Sequence, residues 1–467
     1  MPGPSLVRYA GLAGTLLLAV AAWQGGADTP WEPTVTPRTI LAGQDGLLLP
    51  LTWLAGTLLL IGAWWIGRRI VPSVRWAYVT AGLWALPLLA FLPLGSYDVY
   101  SYACQGWQQA AGLNPYAGGV DLVGCPWADA VSPTWRTSPA PYGPVFLVLA
   151  AVAAKLGGSL TGTVALLRLI AVLGVVVIGW CLPVLARRAG ADPARAVWLV
   201  LACPLVLIHL ISGAHNEAVM VALILTGLTV AATGDSTRRM LVAGVLLGLA
   251  VGVKATAIVV LPFAVLLFPG RFWRAAASLA GAAVAAVAVV SFGSGLGLGW
   301  VTGLAGSGVS VQWTAPPTAV GMTLELIGVP GAVAVTRIIG LVLLAVVLIV
   351  LWLRARSRDP LVHAGLALAA TVLLAPVFHP WYALWPLAVL AATLRRDTLW
   401  LVAPCAVAAA LCLPDGYNLA LASKAQGAIA MTLLAGYLMW KVLHEANRDS
   451  SRLGVGHGGA DRPRRDP

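Results

Sequence analysis

Asp98 stands in the run Gly95-Ser96-Tyr97-Asp98-Val99-Tyr100-Ser101-Tyr102, directly after an apolar segment ends. A carboxylate among tyrosines at such a boundary is a candidate general base, able to take a proton from a hydroxyl. The structural alternative is a solvated carboxylate that caps a helix, because Asp is a good N-cap. Other polar groups also stand where apolar runs break. His215-Asn216-Glu217 follows Ser212-Gly213 and offers hydrogen bonds to sugar hydroxyls or phosphate, or else forms a polar turn whose Glu217 caps the next helix. Lys254, in Val253-Lys254-Ala255-Thr256, either snorkels to an interface or supplies a point charge to a lipid phosphate. Arg168 and Arg337 are rivals for that phosphate role. His379-Pro380-Trp381-Tyr382 ends one apolar run and begins another. An aromatic belt would explain it structurally. Functionally, His379 would donate to phosphate or hydroxyl while Trp381 and Tyr382 line a lipid or sugar path. No pair of ligands stands at metal-binding spacing, so no metal is expected.

The stretch opened by Asp98 is the longest polar segment inside the hydrophobic region, and segments of that length without regular structure are commonly functional. It carries Asn114-Pro115-Tyr116, Trp127, Trp135, Arg136 and Tyr142-Gly143-Pro144. Pro and Gly stiffen such a loop, and aromatic faces stack on sugar C–H surfaces. Tyr97, Tyr100, Tyr102, Asn114, Tyr116 and Tyr142 are therefore candidates for an acceptor platform. Cys104 and Cys125 share this stretch; they pair if it faces an oxidising compartment and the geometry allows. Cys181, Cys203, Cys405 and Cys412 lie in apolar surroundings and are expected to be packing residues.

The elements that must position these groups follow from composition. The chain has 467 residues, 60% of them hydrophobic and only 10% charged, against roughly 25% charged in soluble domains. The apolar runs are long and do not alternate, unlike barrel strands. The fold class is therefore an all-α polytopic membrane protein. A net charge of +12 would suit nucleic acid, but the basic residues cluster in short loops such as Arg68-Arg69, Arg187-Arg188, Arg238-Arg239 and Arg354 to Arg358. That is the positive-inside signature of topology and excludes a nucleic-acid partner.

Applied along the chain, the charge rule gives about 14 transmembrane helices with both termini inside. Tyr9 to Trp23 is taken as the first crossing, with a cleaved signal peptide as the alternative. The short apolar stretch 144–157 lies in or dips into the outer leaflet. Residues 1–443 form one polytopic catalytic domain, with 95–143 as a large first extracytoplasmic loop and 293–330 as a second outer loop. Residues 444–467 form a basic, disordered cytoplasmic tail. Asp98, His215-Asn216-Glu217, Lys254 and His379 to Tyr382 then all fall on the outer side. Intramembrane charges are costly and mark functional sites, so their gathering at one depth points to a single outer site.

Taken together, these motifs resemble the actinobacterial polyprenol-phosphate-mannose-dependent α-(1→6)-mannosyltransferases, which build the mannan backbone of lipomannan and lipoarabinomannan. The resemblance rests on Asp98-Val99-Tyr100-Ser101-Tyr102 with Gly106, Asn114-Pro115-Tyr116, Tyr142-Gly143-Pro144, Ser212 to Glu217, Lys254-Ala255-Thr256 and Pro380-Trp381-Tyr382. It runs from about residue 46 to 440; Glu217 departs from the Asp that the pattern leads one to expect. It implies a GT-C glycosyltransferase in the plasma membrane with an extracytoplasmic active site. The donor would be polyprenyl-phosphate-mannose and the acceptor a mannan glycolipid, with membrane lipids around the protein. Inversion would give an α-linkage, with Asp98 as general base. No cofactor or metal is implied, because Lys254, Arg168 or His379 would stabilise the departing phosphate. Another polyprenyl-phosphate sugar donor, another linkage, or a lipid or sugar transporter are the alternatives.

Overall fold

A computed structural model describes residues 3–33, 35–268, 270–305, 310–395 and 399–454. Among these residues the chain is helical, and the β-structure is a single bridge between Cys412 and Asn418. Six helices are long and apolar enough to cross a membrane: Pro4–Gly25, Leu48–Gly67, Leu160–Ala189, Phe272–Gly293, Ala332–Ala355 and the apolar part of the last helix, Leu419–Lys441. A bent pair, Pro193–Leu201 and Val206–Ser212, could supply a seventh, and five apolar helices are shorter, among them Pro144–Gly157, Glu217–Ala232 and Pro360–Leu374. Lipid cannot satisfy free backbone groups, so a chain this apolar closes its hydrogen bonds within helices.

Small residues let these helices approach closely. A Cβ on Gly106 would lie 2.3 Å from the carbonyl oxygen of Ala150, so the Asp98–Ala110 helix can lie against the Pro144–Gly157 helix only with glycine there. Gly143 makes the same kind of approach to Gly252, at 2.2 Å from its oxygen, and its N–H donates to Val253 O. The glycines of two sequence motifs thus clamp Tyr142 beside Lys254. The core beneath is built from Trp64, Trp84, Trp198, Tyr102 and Phe146, all fully buried.

Three sequence expectations change here. The segment after Asp98 is not an open loop: Asp98–Ala110 is a helix, with shorter helical turns at Val120–Val123 and Pro133–Arg136. Glycines and Pro133 interrupt the remainder. The second outer segment likewise contains Pro316–Leu326. The last helix continues from Lys424 to Gly454, so the first part of the expected disordered tail, 444–454, is helical; the rest of it, 455–467, lies outside the described residues.

Two devices shape the region above the helices. Cys104 and Cys125 form a disulfide across a separation of 21 residues, fastening the short helices to the Asp98 helix. The Val206–Ser212 segment is a π-helix, closed by the five-residue bond from Gly213 N–H to Ile208 O. π-Segments are rare and concentrate at functional sites. Immediately after it, Ala214 takes φ 52°, a left-handed conformation disfavoured with a side chain.

Candidate active site

Asp98 opens its helix at the wall of a cleft of about 250 Å³. Its carboxylate is 15% exposed. Oδ1 accepts a hydrogen bond from Trp135 Nε1 at 3.2 Å, and its backbone N–H donates to Ser96 Oγ at 3.1 Å. Trp135 comes from the Pro133–Arg136 turn, braced by Arg136, which donates to Val131 O and Asp129 O. The two ends of the stretch therefore meet at the carboxylate.

His379 and Trp381 line the same cleft. Their rings are stacked, 4.8 Å apart and 3° from parallel. Ser132, Thr134, Ser310 and Gln312 add polar groups to the lining. Cys412 and the turn Asp415 to Asn418 also line the cleft. Asp415 accepts from Val35 N–H through Oδ2 at 2.7 Å and from Tyr417 N–H through Oδ1 at 3.2 Å. Burial pushes its carboxyl up to about 6. Gly95 N–H donates to Pro414 O, joining this turn to the Asp98 approach.

His215, Asn216 and Glu217 sit behind Asp98 and are buried, at 0%, 1% and 0% exposure. His215 Nδ1 is 3.8 Å from Asp98 Oδ2 and 3.7 Å from Glu217 Oε2. Its ring lies 4.1 Å from that of Trp381, with Tyr102 edge-on at 6.3 Å. Glu217 Oε1 receives Lys254 Nζ in a buried ion pair. Tyr382 and Trp385 cover that ammonium, with ring centroids 4.3 Å and 5.3 Å away.

The structure brings Asp98, His215, Glu217, Lys254, His379, Trp381 and Tyr382 into one constellation. It assigns several of them differently from the sequence expectations. His215, Asn216 and Glu217 do not line the cleft and face protein instead. Glu217 is the partner of Lys254 rather than a helix cap, and Lys254 is consequently engaged in an ion pair. Among the described lining residues of the cleft there is no Lys or Arg.

Arg168 stands apart. Its guanidinium donates to Ser212 O, Leu89 O and Phe91 O, where helix ends leave carbonyls unsatisfied. Arg337 donates to Thr318 Oγ1 and Ser310 O, bracing the cleft rim. Of the platform tyrosines, Tyr97 lines the cleft. Tyr100 instead donates to Ala27 O and Tyr116 to Tyr142 O, both buried; Asn114 is exposed and accepts from Tyr116 N–H. Tyr102 and Tyr142 pack edge to face at 5.2 Å behind the cleft. These contacts make Tyr100, Asn114 and Tyr116 scaffold.

Asp415, Gln312, Asn418 and the hydrogen bond from Trp135 were not identified from sequence. Asp415 carried the same signal as Asp98, a carboxylate in a polar break between apolar runs, with Gly416-Tyr417-Asn418 behind it. Cys412, expected to be a packing residue, lies in the cleft wall with Sγ 3.5 Å from His209 Nε2. Among the described residues no three His, Cys, Asp or Glu side chains are grouped to hold a metal ion.

Fold and site define a polytopic helical membrane protein with a carboxylate-walled, aromatic-lined cleft. The sequence matches the family profile described as alpha-(1->6)-mannopyranosyltransferase, N-terminal domain, over residues 8–270, and the MptB C-terminal domain over residues 317–445. The chain belongs to this family. It is 35% identical to alpha-(1->6)-mannopyranosyltransferase A of Mycobacterium tuberculosis over 82% of this chain and 79% of that protein. It is 32% identical to alpha-(1->6)-mannopyranosyltransferase B of Corynebacterium glutamicum over 68% of this chain and 58% of that protein. No solved structure matches it.

Proposed function

We propose that this protein is an inverting, GT-C-type mannosyltransferase. It would move mannose from polyprenyl-phosphate-mannose onto a mannan glycolipid through an α-(1→6) linkage. The cleft would face the extracytoplasmic side of the plasma membrane, in a topology of about 14 crossings in which Pro144–Gly157 does not itself cross. The observation that carries this reading is the Asp98 carboxylate, oriented by Trp135 and sharing one cleft of about 250 Å³ with the stacked His379–Trp381 pair. Family membership supports the sugar and the linkage.

In this mechanism the acceptor hydroxyl lies against Asp98. Asp98 Oδ2 takes its proton as the hydroxyl oxygen attacks the anomeric carbon. The bond from that carbon to the phosphate oxygen breaks on the opposite face, so the configuration inverts. Trp381 and His379 offer stacking surface to the sugar, and His379 with Gln312 and Asn418 offers donors to the phosphate. Lys254 stands behind the Tyr382 layer and acts only through the field it leaves after pairing with Glu217. No metal enters this scheme.

The test is transfer from polyprenyl-phosphate-mannose in membranes carrying Asp98→Asn. We expect loss of transfer with the protein still folded. Transfer at the wild-type rate would overturn the assignment.

A further inference from the structure

His215 has no route to a substrate except through Asp98. It is wholly buried, is absent from the cleft lining, and neither ring nitrogen has a hydrogen-bond partner. An unpartnered polar group in a core costs stability and calls for an explanation. The chain places this ring by unusual means. A π-helical turn and the left-handed Ala214 precede it, and its own N–H donates to His209 O at 3.1 Å. Strained backbone of this kind persists where a position is held for function. The imidazole ends up with Nδ1 almost equidistant from two carboxylates, 3.8 Å from Asp98 and 3.7 Å from Glu217. Oε2 of Glu217 is also unpartnered, while Oε1 is fixed by Lys254.

We propose that His215 is the proton reservoir behind Asp98, resting on the reading of Asp98 as general base. A shift of about 1 Å brings Nδ1 within hydrogen-bond reach of Asp98, as sites commonly do on tightening around substrate. The acceptor O–H bond breaks and its proton goes to Asp98 Oδ2. That proton passes to His215 Nδ1, so Asp98 is again a carboxylate while the new glycosidic bond forms. The imidazolium then lies between two carboxylates, with Glu217 Oε2 as its counter-charge. After the sugar–phosphate bond breaks, the phosphate departs as a monoester dianion, the proton returns to Asp98 and leaves to water in the cleft, and charge balances. His215 is thus a positioning residue for the base, with Glu217 and Lys254 as its fixed anchor. The groups that face it are Asp98, Glu217, His209, His379 and Tyr102, with Lys254 one step behind.

The test compares His215→Gln with wild type and Asp98→Asn in the membrane transfer assay, reading kcat, donor KM and the pH profile separately. Gln can hydrogen-bond both carboxylates but cannot take a proton. We expect kcat to fall by about 10²-fold, a typical share for acid–base catalysis. Donor KM should stay within about twofold, and the profile should lose one of its limbs because a titrating partner has gone. A second variant, His215→Ala, should regain activity with added imidazole, which repacking of a damaged core would not give. An unchanged pH profile, or a raised donor KM with kcat intact, overturns the proposal while leaving Asp98 as base. Full activity of Asp98→Asn overturns the base, and the relay with it.

Discussion

Lys254 and Glu217 meet inside the protein, ammonium on carboxylate, with Glu217 completely buried and the Lys254 side chain 13% exposed. Each removes the other's charge from an apolar setting. Breaking such a pair by removing one partner strands a buried charge and typically costs about 3–5 kcal/mol. Lys254→Met and Glu217→Gln should therefore each lower thermal stability in detergent sharply. The double variant should recover most of the loss, which a double-mutant cycle measures.

Trp135 holds Asp98 by a single indole N–H. Hydrogen bonds to charged groups are worth about 1.5–3 kcal/mol. Trp135→Phe keeps the ring and deletes the donor. The transfer rate should fall about tenfold or more, since 1.4 kcal/mol is tenfold, while the melting temperature moves little. Rates from membranes with matched protein levels decide it.

Cys104 and Cys125 close a loop with a sequence separation of 21. Cross-links of that size stabilise by about 3 kcal/mol through the unfolded chain. Replacing both by Ser should lower the melting temperature and expose the Pro133–Arg136 turn to proteolysis. Because that turn carries Trp135, activity should fall further than stability alone explains.

Gly106 faces the Ala150 carbonyl with no room for a methyl group. Gly106→Ala should push the Asp98 helix off the Pro144–Gly157 helix and abolish transfer, although Ala favours helices more than Gly by about 1 kcal/mol. An equally active Gly106→Ala protein would show that the close approach is dispensable.

Asp415 titrates between an ordinary carboxyl value of 3.8 and about 6 in the folded protein. A raised folded value means the protonated form is favoured by folding. The stabilisation is present in full below pH 3.8 and is lost as the pH rises through about 6. Wild-type protein should accordingly lose thermal stability across that window, and Asp415→Asn should lose this component of the pH dependence. Melting curves at a series of pH values read this directly.

Asp98 could be picked out from its own neighbourhood, because a carboxylate beside tyrosines at the end of an apolar run is a local pattern. Glu217 and Lys254 were equally visible as charges in apolar surroundings. Their pairing was not, since 37 residues separate them and periodicity carries no information about such distances. Arg168 illustrates the opposite case. Its sequence environment matched that of a phosphate ligand, yet three carbonyls from two chain breaks converge on it.

The sequence by itself determined that this is a helical membrane protein and where polar groups interrupt the apolar runs. Hydropathy and charge are properties of each segment, and lipid enforces them segment by segment. Only the tertiary structure decided what those polar groups face. Val35 reaches Asp415 across 380 residues, and Trp135 reaches Asp98 across 37. Contacts of that kind depend on how helices pack, and glycines such as Gly106 and Gly143 set that packing by a steric fit that appears only once both surfaces are in place.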